Sequence, residues 1–133
     1  MTRILETNWW LLELPDEWHA EEDEDTIVIS DEDNVSTLEI SALRKDSSEV
    51  DSAELTEFAA DLVGQGYPSS AIKCGDFAGL YFDYTDDDGA WREWIVAYKA
   101  VVLFIVYGCD EQHRTFDDQA VDAILSTLQW VDG

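Results

Sequence analysis

Cys109, Asp110 and His113 are the residues of this chain whose types and spacing come nearest to a catalytic centre. Covalent catalysis needs a nucleophile, a base and a group that orients the base, and these residues provide one of each. They predict, as one alternative, a small hydrolase that uses the Cys109 thiol. A strand-end cysteine beside a solvated loop histidine explains them better, because such triads are normally assembled from residues far apart in sequence and the chain has no Gly-x-Ser-x-Gly elbow. We favour this second interpretation and expect no catalytic residues.

A second group of residues with possible chemistry is the acidic segment Asp86, Asp87 and Asp88, which is followed by Gly89. It resembles a fragment of a calcium-binding loop. In an EF-hand frame, however, Tyr84 and Ile95 would occupy the first and twelfth positions, where carboxylates are required. No Cys or His pair has the spacing of a zinc site. We therefore expect no metal and no cofactor, and we interpret the segment as a hairpin turn.

The charge of the chain excludes several classes of function. Its 133 residues include 31 Asp and Glu against 7 Lys and Arg, a formal net charge of −24. Binding to nucleic acid or to a membrane surface needs a basic patch that seven scattered cations cannot build. The chain is nevertheless 46% hydrophobic, with 6 Trp, 5 Tyr and 5 Phe, so it can form a core. We predict neither nucleic acid nor membrane as a partner.

The expected cellular location rests on features that the sequence does not show. The first residues show no signal-peptide pattern, and the longest apolar run, residues 100–107, is too short to span a bilayer. Two cysteines, Cys74 and Cys109, do not make a disulfide framework. We expect a cytoplasmic protein with two free thiols. The sequence does not predict an oligomeric state.

The elements that must position these residues follow from hydrophobic periodicity. Strands are predicted at residues 9–14, 26–30, 36–43, 79–85, 90–98 and 101–107, with a short strand before Asp76, and helices at 52–64 and 116–128, capped by Asp51 and Thr115. Residues 21–25 are all acidic, which predicts a loop. Residues 101–107 are apolar on both faces, which predicts an interior strand with both sides covered.

These elements predict one α+β domain over residues 1–133. Its antiparallel sheet has about six strands and is covered by helices on both faces. The segment Leu12-Glu13-Leu14-Pro15-Asp16-Glu17-Trp18, the aromatic hairpins of residues 81–107 and the closing helix at 122–128 together resemble the Mog1/PsbP-like superfamily. The resemblance implies a small α/β/α sandwich that binds other proteins and is not an enzyme. It supplies no binding motif that could be transferred residue by residue.

The acidity itself indicates a kind of partner. We expect a non-enzymatic protein-binding module, such as an adaptor, a chaperone or an immunity-type inhibitor, that presents an acidic surface to a basic protein. Adaptation to high salt and plain solubility are the alternatives. The predicted binding residues are two acidic segments and two exposed aromatic anchors: Asp86, Asp87 and Asp88; Glu21, Glu22 and Asp23; Trp91 and Trp94.

Overall fold

A computed structural model describes residues 2–24, 26–32, 36–46, 49–113 and 117–131. Within them the chain forms ten strands, three α-helices and a 3₁₀ turn at Glu111–His113. The elements in chain order are β1 Thr2–Glu6, β2 Trp10–Pro15, β3 Trp18–Asp23, β4 Thr26–Asp31, β5 Ser36–Arg44, α1 Ser52–Phe58, α2 Ala60–Gly64, β6 Ser70–Cys74, β7 Phe77–Asp86, β8 Gly89–Tyr98, β9 Val101–Cys109, α3 Asp118–Leu125 and β10 Gln129–Trp130.

The strands form two antiparallel sheets. The larger sheet has seven strands in the order β3-β4-β5-β9-β8-β7-β6, and the smaller has three in the order β1-β2-β10. Strand β9 is the fourth of seven, which confirms the interior strand predicted from its apolar residues. Val102 and Leu103 are neighbours in β9 that point to opposite faces, and both are fully buried. Each face of the large sheet is therefore covered at its centre.

Two apolar clusters cover these faces. On one face, here called the inner face, Trp10 and Leu12 of the small sheet and Leu125 of α3 pack with Leu103 and Ile105 of β9. On the other face, Ala59 and Leu62 pack with Phe82, Ile95 and Val102. The inner cluster is the larger of the two and joins the two sheets.

The predicted α+β class with antiparallel sheets is confirmed, but its details need correction. There are ten strands in two sheets instead of about six in one. The inner face is covered mainly by the small sheet together with α3. Helices α1 and α2 cover the other face only over β7, β8 and β9, and they leave Thr37 and Glu39 of β5 exposed. Strand β1 is mostly exposed and β10 has two residues, so neither produced a detectable alternation of apolar residues.

The first predicted helix forms with its predicted cap, although it is interrupted. The Glu54 backbone N–H donates to Asp51 Oδ1 at 2.8 Å, and the Asp51 N–H donates to Glu54 Oε1 at 3.3 Å. This is the reciprocal capping box expected from the sequence. The helix breaks at Ala59 into α1 and α2. The last helix covers Asp118–Leu125, within the predicted 116–128, and Thr115 lies outside the described residues.

The prediction of a loop for residues 21–25 is wrong over its first three residues. Glu21, Glu22 and Asp23 belong to β3, where they pair with β4. Strand β3 is at the edge of the large sheet, so carboxylates can extend into water without breaking the pairing. Charged residues on an edge strand also oppose sheet-to-sheet aggregation. Residue 25 lies outside the described residues.

Among the described residues, no helix is long and apolar enough to cross a membrane. Cys74 and Cys109 are both free thiols, as predicted.

Candidate functional site

The turn between β7 and β8 is an ordered acidic hairpin. Asp86 pairs with Gly89 across a two-residue turn, and Gly89 has a φ of +145° that suits glycine. Asp86 Oδ1 accepts hydrogen bonds from the Trp91 indole Nε1 at 2.8 Å and from the Asp88 N–H at 2.9 Å. These two donors lower the pKa of Asp86. The predicted hairpin turn is confirmed, and Asp86 ties it to Trp91.

Strand β9 brings further carboxylates to the same place. A Cβ added to Gly89 would lie 2.4 Å from the Cys109 carbonyl oxygen and 3.7 Å from the Asp110 Cα, so the hairpin packs directly against the end of β9. Asp110 and Glu111 follow that strand and are exposed, like the hairpin aspartates. We call this surface the hairpin end: Asp86, Asp87, Asp88, Trp91, Asp110 and Glu111.

The cation nearest the hairpin end in β8, Arg92, is bound internally. Its side chain is 12% exposed and donates to Asp122 Oδ1 at 2.7 Å and to Asp118 Oδ1 at 3.4 Å. Its Nε donates to Tyr81 Oη at 2.7 Å, and its guanidinium carbon lies 4.7 Å from the centre of the Trp94 ring. Arg92 therefore neutralises carboxylates of α3, and among the described residues no Lys or Arg forms an ion pair with the carboxylates of the hairpin end.

Trp91 and Trp94 have different environments. Trp94 is 1% exposed and lies in the inner cluster between Tyr81 and Ile105. The expectation that Trp94 is an exposed anchor is therefore wrong, because residues three apart in a strand face opposite sides of the sheet. Trp91 is half-buried and packs over Gly108, where an added Cβ would meet its ring at 2.5 Å. Trp91 alone of the two has a surface that a partner can contact.

The structure does not bring the two acidic segments together. Strand β3 lies four strand steps from β8, or about 19 Å. Across the paired strands, Asp23 lies level with Ile95 of β8. Ile95 is six residues from Gly89 at the hairpin turn, which adds roughly 20 Å along the strand direction. Glu21–Asp23 and the hairpin end are therefore two separate acidic surfaces, one on the edge strand β3 and the other at the turn between β7 and β8. Glu22 lines a separate cleft between the two sheets, with Trp9, Ile27, Ile40 and Ala42.

Cys109, Asp110 and His113 do not form an activated nucleophile. Burial raises the pKa of the Cys109 thiol, and the carboxylates of Asp118 and Asp110 raise it further. A nucleophilic cysteine needs the opposite shift. His113 Nδ1 lies 3.8 Å from Asp110 Oδ2, so the histidine faces a carboxylate. This geometry favours the structural interpretation of the three residues.

Within the described part of the chain, no three His, Cys, Asp or Glu side chains converge as metal ligands.

Sequence reasoning missed the Arg92 cluster. Its carboxylates come from α3, 26 and 30 residues further along the chain. A signal was present, because Asp118 and Asp122 are four residues apart and so share one face of a helix. Their common cation could not be identified without the tertiary contact between α3 and β8.

No protein-family model matches the chain, and no curated protein matches it either. Solved structures do resemble it. A protein from Bacteroides thetaiotaomicron aligns with a TM-score of 0.65 at 14% identity. The alignment covers 92% of this chain but only 45% of the Bacteroides protein. CyanoP, the cyanobacterial PsbP of Synechocystis, aligns with a TM-score of 0.65 at 10% identity over 97% of this chain and 92% of its own.

LpqN of Mycobacterium tuberculosis aligns with a TM-score of 0.58 at 18% identity, covering 92% of this chain and 83% of LpqN. At these identities the likeness shows the fold alone. PsbP and LpqN both have Mog1/PsbP-like folds. The alignments with CyanoP and LpqN therefore show that this chain has the Mog1/PsbP-like fold.

Proposed function

We propose that this protein is a non-catalytic binding module whose hairpin end contacts a basic protein. The observation that carries the proposal is the hydrogen bond that holds Trp91 to Asp86 among exposed carboxylates. It places an aromatic side chain of fixed orientation inside a negatively charged surface. Tyr84, next to Trp91 across the β7–β8 ladder, adds a second half-buried aromatic ring. A groove opens beside them, and its lining includes Tyr84, Trp91 and Cys109 together with Arg92 and the carboxylates of Asp83 and Asp118.

Charge and aromatic contact would have separate roles in this surface. Exposed carboxylates accelerate encounter with a cationic partner, but each surface ion pair contributes only about 0–1 kcal/mol. An aromatic residue buried on binding contributes about 2 kcal/mol or more. The aspartates would therefore set the association rate, while Trp91 would set the dissociation rate.

The structurally similar proteins CyanoP and LpqN are compatible with a non-catalytic module, and they suggest a role at the cell envelope as an alternative. The LpqN structure is described as that of a protein involved in cell envelope biogenesis. That role belongs to LpqN, and for this chain an envelope-associated binding role is the second candidate. Our own proposal is a cytoplasmic location, which fractionation of cells that express the tagged chain would test. Recovery in the envelope fraction would favour the second candidate.

The hairpin proposal is tested by association kinetics with a basic partner. Candidate partners are eluted by high salt from immobilised protein, purified, and measured by surface plasmon resonance at several ionic strengths. Asp86→Asn, Asp87→Asn and Asp88→Asn together should lower the association rate and flatten its dependence on salt. Trp91→Ala should instead raise the dissociation rate.

The matched control for the triple variant neutralises three exposed acids on and near the first two helices: Glu49→Gln, Glu57→Gln and Asp61→Asn. It changes the net charge equally but leaves the hairpin end intact. If both triple variants lower the association rate to the same extent, the acidity acts as a general field and the hairpin is not the site. If neither variant nor salt changes the rate, the acidity serves solubility, and the proposal is wrong.

The competing hydrolase predicts a different observation. A catalytic Cys109 would react rapidly with iodoacetamide at pH 6, because its thiolate would be populated there. We expect slower alkylation of Cys109 than of free glutathione at that pH, since burial raises the pKa of the thiol. Mass spectrometry of the modified peptide distinguishes the two outcomes. Faster reaction than glutathione would restore the enzyme alternative.

A further inference from the structure

The opposite end of the large sheet carries a groove that contrasts with the hairpin end. It lies where β8 turns into β9 and where β10 closes against β2. Its walls are aromatic and aliphatic, and two cations stand on it. We call it the Lys99 groove, after its most constrained residue: Trp9, Arg44, Lys99, Val101, Trp130 and Val131.

The backbone holds Lys99 in an unusual conformation. Its φ is +53°, a left-handed value that side-chain-bearing residues other than Asn and Asp seldom adopt. The Lys99 carbonyl accepts from the Val50 N–H at 2.8 Å, and the Ala100 carbonyl accepts from the Lys45 N–H at 2.8 Å. These bonds fix the turn. Lys99 Nζ consequently lies 4.3 Å from the centre of the Trp130 ring.

Some cations of the described chain form ion pairs with carboxylates, whereas the two on the groove form none with a described residue. Lys45 Nζ lies 2.6 Å from Glu54 Oε2, and Arg92 contacts Asp118 and Asp122. Among the described residues, by contrast, neither Arg44 nor Lys99 has a carboxylate oxygen within 4.0 Å. The nearest carboxylate that the structure records at this groove is that of Asp76, which accepts from the Trp130 backbone N–H at 3.0 Å. Among the described residues it forms no ion pair with Arg44 or Lys99, so both cationic groups can bind an anion.

We propose that the Lys99 groove binds a small aromatic anion, a carboxylate or a phosphate ester. Arg44 and Lys99 would bind the anionic group, and the ring would lie against Trp9 and Trp130. A guanidinium and an ammonium group are suited to carboxylate and phosphate oxygens. The groove has a cavity volume of about 160 Å³, which is smaller than a site for a drug-sized molecule and suits a ligand with a single aromatic ring. This binding is independent of the hairpin end. The groove would select an anionic ligand, whereas the hairpin end would select a basic protein.

The test is an NMR titration of ¹⁵N-labelled protein with benzoate and, separately, with phenyl phosphate. We expect saturable shifts of the Ala100 and Val131 amides and of the Trp9 and Trp130 indole signals, with a dissociation constant in the millimolar range. Tighter binding of one probe identifies the preferred anion. Benzyl alcohol, which has the ring without the charge, should bind several-fold more weakly.

Variants separate a site from general attraction. Lys99→Gln and Arg44→Gln should each weaken probe binding by about fivefold or more. The control, Lys73→Gln, removes an exposed cation from β6 with the same change in charge and should alter binding less than twofold. Unshifted amide signals elsewhere in each variant show that its fold is intact.

Three outcomes would overturn the proposal. One is the absence of saturable shifts at the groove with either anion up to about 20 mM. Another is equal binding of benzyl alcohol, which would make the groove merely apolar. The third is a Lys73→Gln effect as large as that of Lys99→Gln, which would reduce the binding to long-range attraction.

Discussion

The two ends of the seven-stranded sheet differ in how they use charge. At the hairpin end, the nearby cation Arg92 is bound to α3, and the exposed residues are carboxylates around Trp91. At the Lys99 groove, two cations stand beside Trp9 and Trp130 without carboxylate partners among the described residues. The net charge of −24 is therefore distributed unevenly, with carboxylates exposed at one end of the sheet and cations at the other. Net charge describes solubility and encounter, but local pairing determines what each end can bind.

The comparison also separates aromatic residues that build the fold from those that remain available. Trp94 and Trp10 lie inside the inner cluster. Trp91 and Trp130 lie at the two ends and are half-buried, and each ring contacts a charged side chain: the Trp91 indole contacts Asp86 and the Trp130 ring contacts Lys99. A polar contact holds each exposed ring in place without covering it.

The largest expected effect separates Trp94 from Trp91. Trp94→Ala should lower the free energy of unfolding by about 3–5 kcal/mol, because it empties a large volume in the inner cluster. Trp91→Ala should lower it by only about 1–2 kcal/mol, since much of that ring already contacts water. Urea unfolding followed by far-UV circular dichroism measures both. Equal losses would mean that Trp91 is a core residue, and the hairpin end would lose its aromatic anchor.

Arg92→Gln should have the next largest effect, about 2–3 kcal/mol. It leaves the partly buried carboxylate of Asp118 and that of Asp122 without their cation and removes the contact with the Trp94 ring. Arg92→Lys should recover part of the loss, because one ammonium cannot serve both carboxylates and Tyr81. Thermal and urea unfolding give the values. A loss below about 0.5 kcal/mol would show that the cluster is effectively solvated.

The sequence predicted the elements whose periodicity is strong and missed those that depend on distant contacts. The capping box at Asp51 and Glu54 needs only three residues of spacing, and the central strand β9 needs only its own apolar residues. By contrast, β10 is a strand only because Gln129 and Trp130 pair with β2, over 110 residues away in sequence. A segment of two residues has no periodicity from which a strand could be predicted.

The candidate site shows the same limit. That Asp86 to Gly89 form a turn follows from local chemistry. Alternation along β8 places Trp91 and Trp94 on opposite faces, but the burial of Trp94 depends on the small sheet and α3, which cover its face. The Lys99 groove combines residues 9, 44, 99 and 130, which share no local motif. The two cations of that groove stand out only once the tertiary structure shows that no described carboxylate pairs with them.

Stability should also fall at alkaline pH through Cys74, which lies at the same end of the sheet as Lys99. Burial raises the pKa of this thiol from its ordinary 9.0 to about 11. The folded state therefore holds the proton more tightly, and this contribution is complete below pH 9 and is lost as the pH rises through about 11. Roughly 2 kcal/mol should disappear over that window.

Cys74→Ala isolates this contribution from the tyrosines, which ionise in the same range. The difference in unfolding free energy between wild type and variant should shrink between pH 8.5 and 11, measured by urea unfolding under reducing conditions. Cys109→Ala is the comparison from the hairpin end, where the thiol is less buried. The difference in unfolding free energy between wild type and this variant should depend less on pH. A pH-independent difference for Cys74 would show that its thiol is accessible to water in the folded protein.

The smallest expected effect concerns Lys45, the paired cation adjacent to the Lys99 groove. Its ion pair with Glu54 is partly exposed, with side-chain exposures of 24% and 29%, so Lys45→Gln should lower the free energy of unfolding by only about 0.5 kcal/mol. The loss should diminish further in 1 M NaCl. Glu54→Ala should lower it more, because that substitution also removes half of the capping box. A double-mutant cycle gives the pair energy alone. A coupling above about 2 kcal/mol would indicate that cations at this end stabilise the fold. Arg44 and Lys99, which form no ion pair with a described residue, would then be better explained as structural residues than as ligands for an anion.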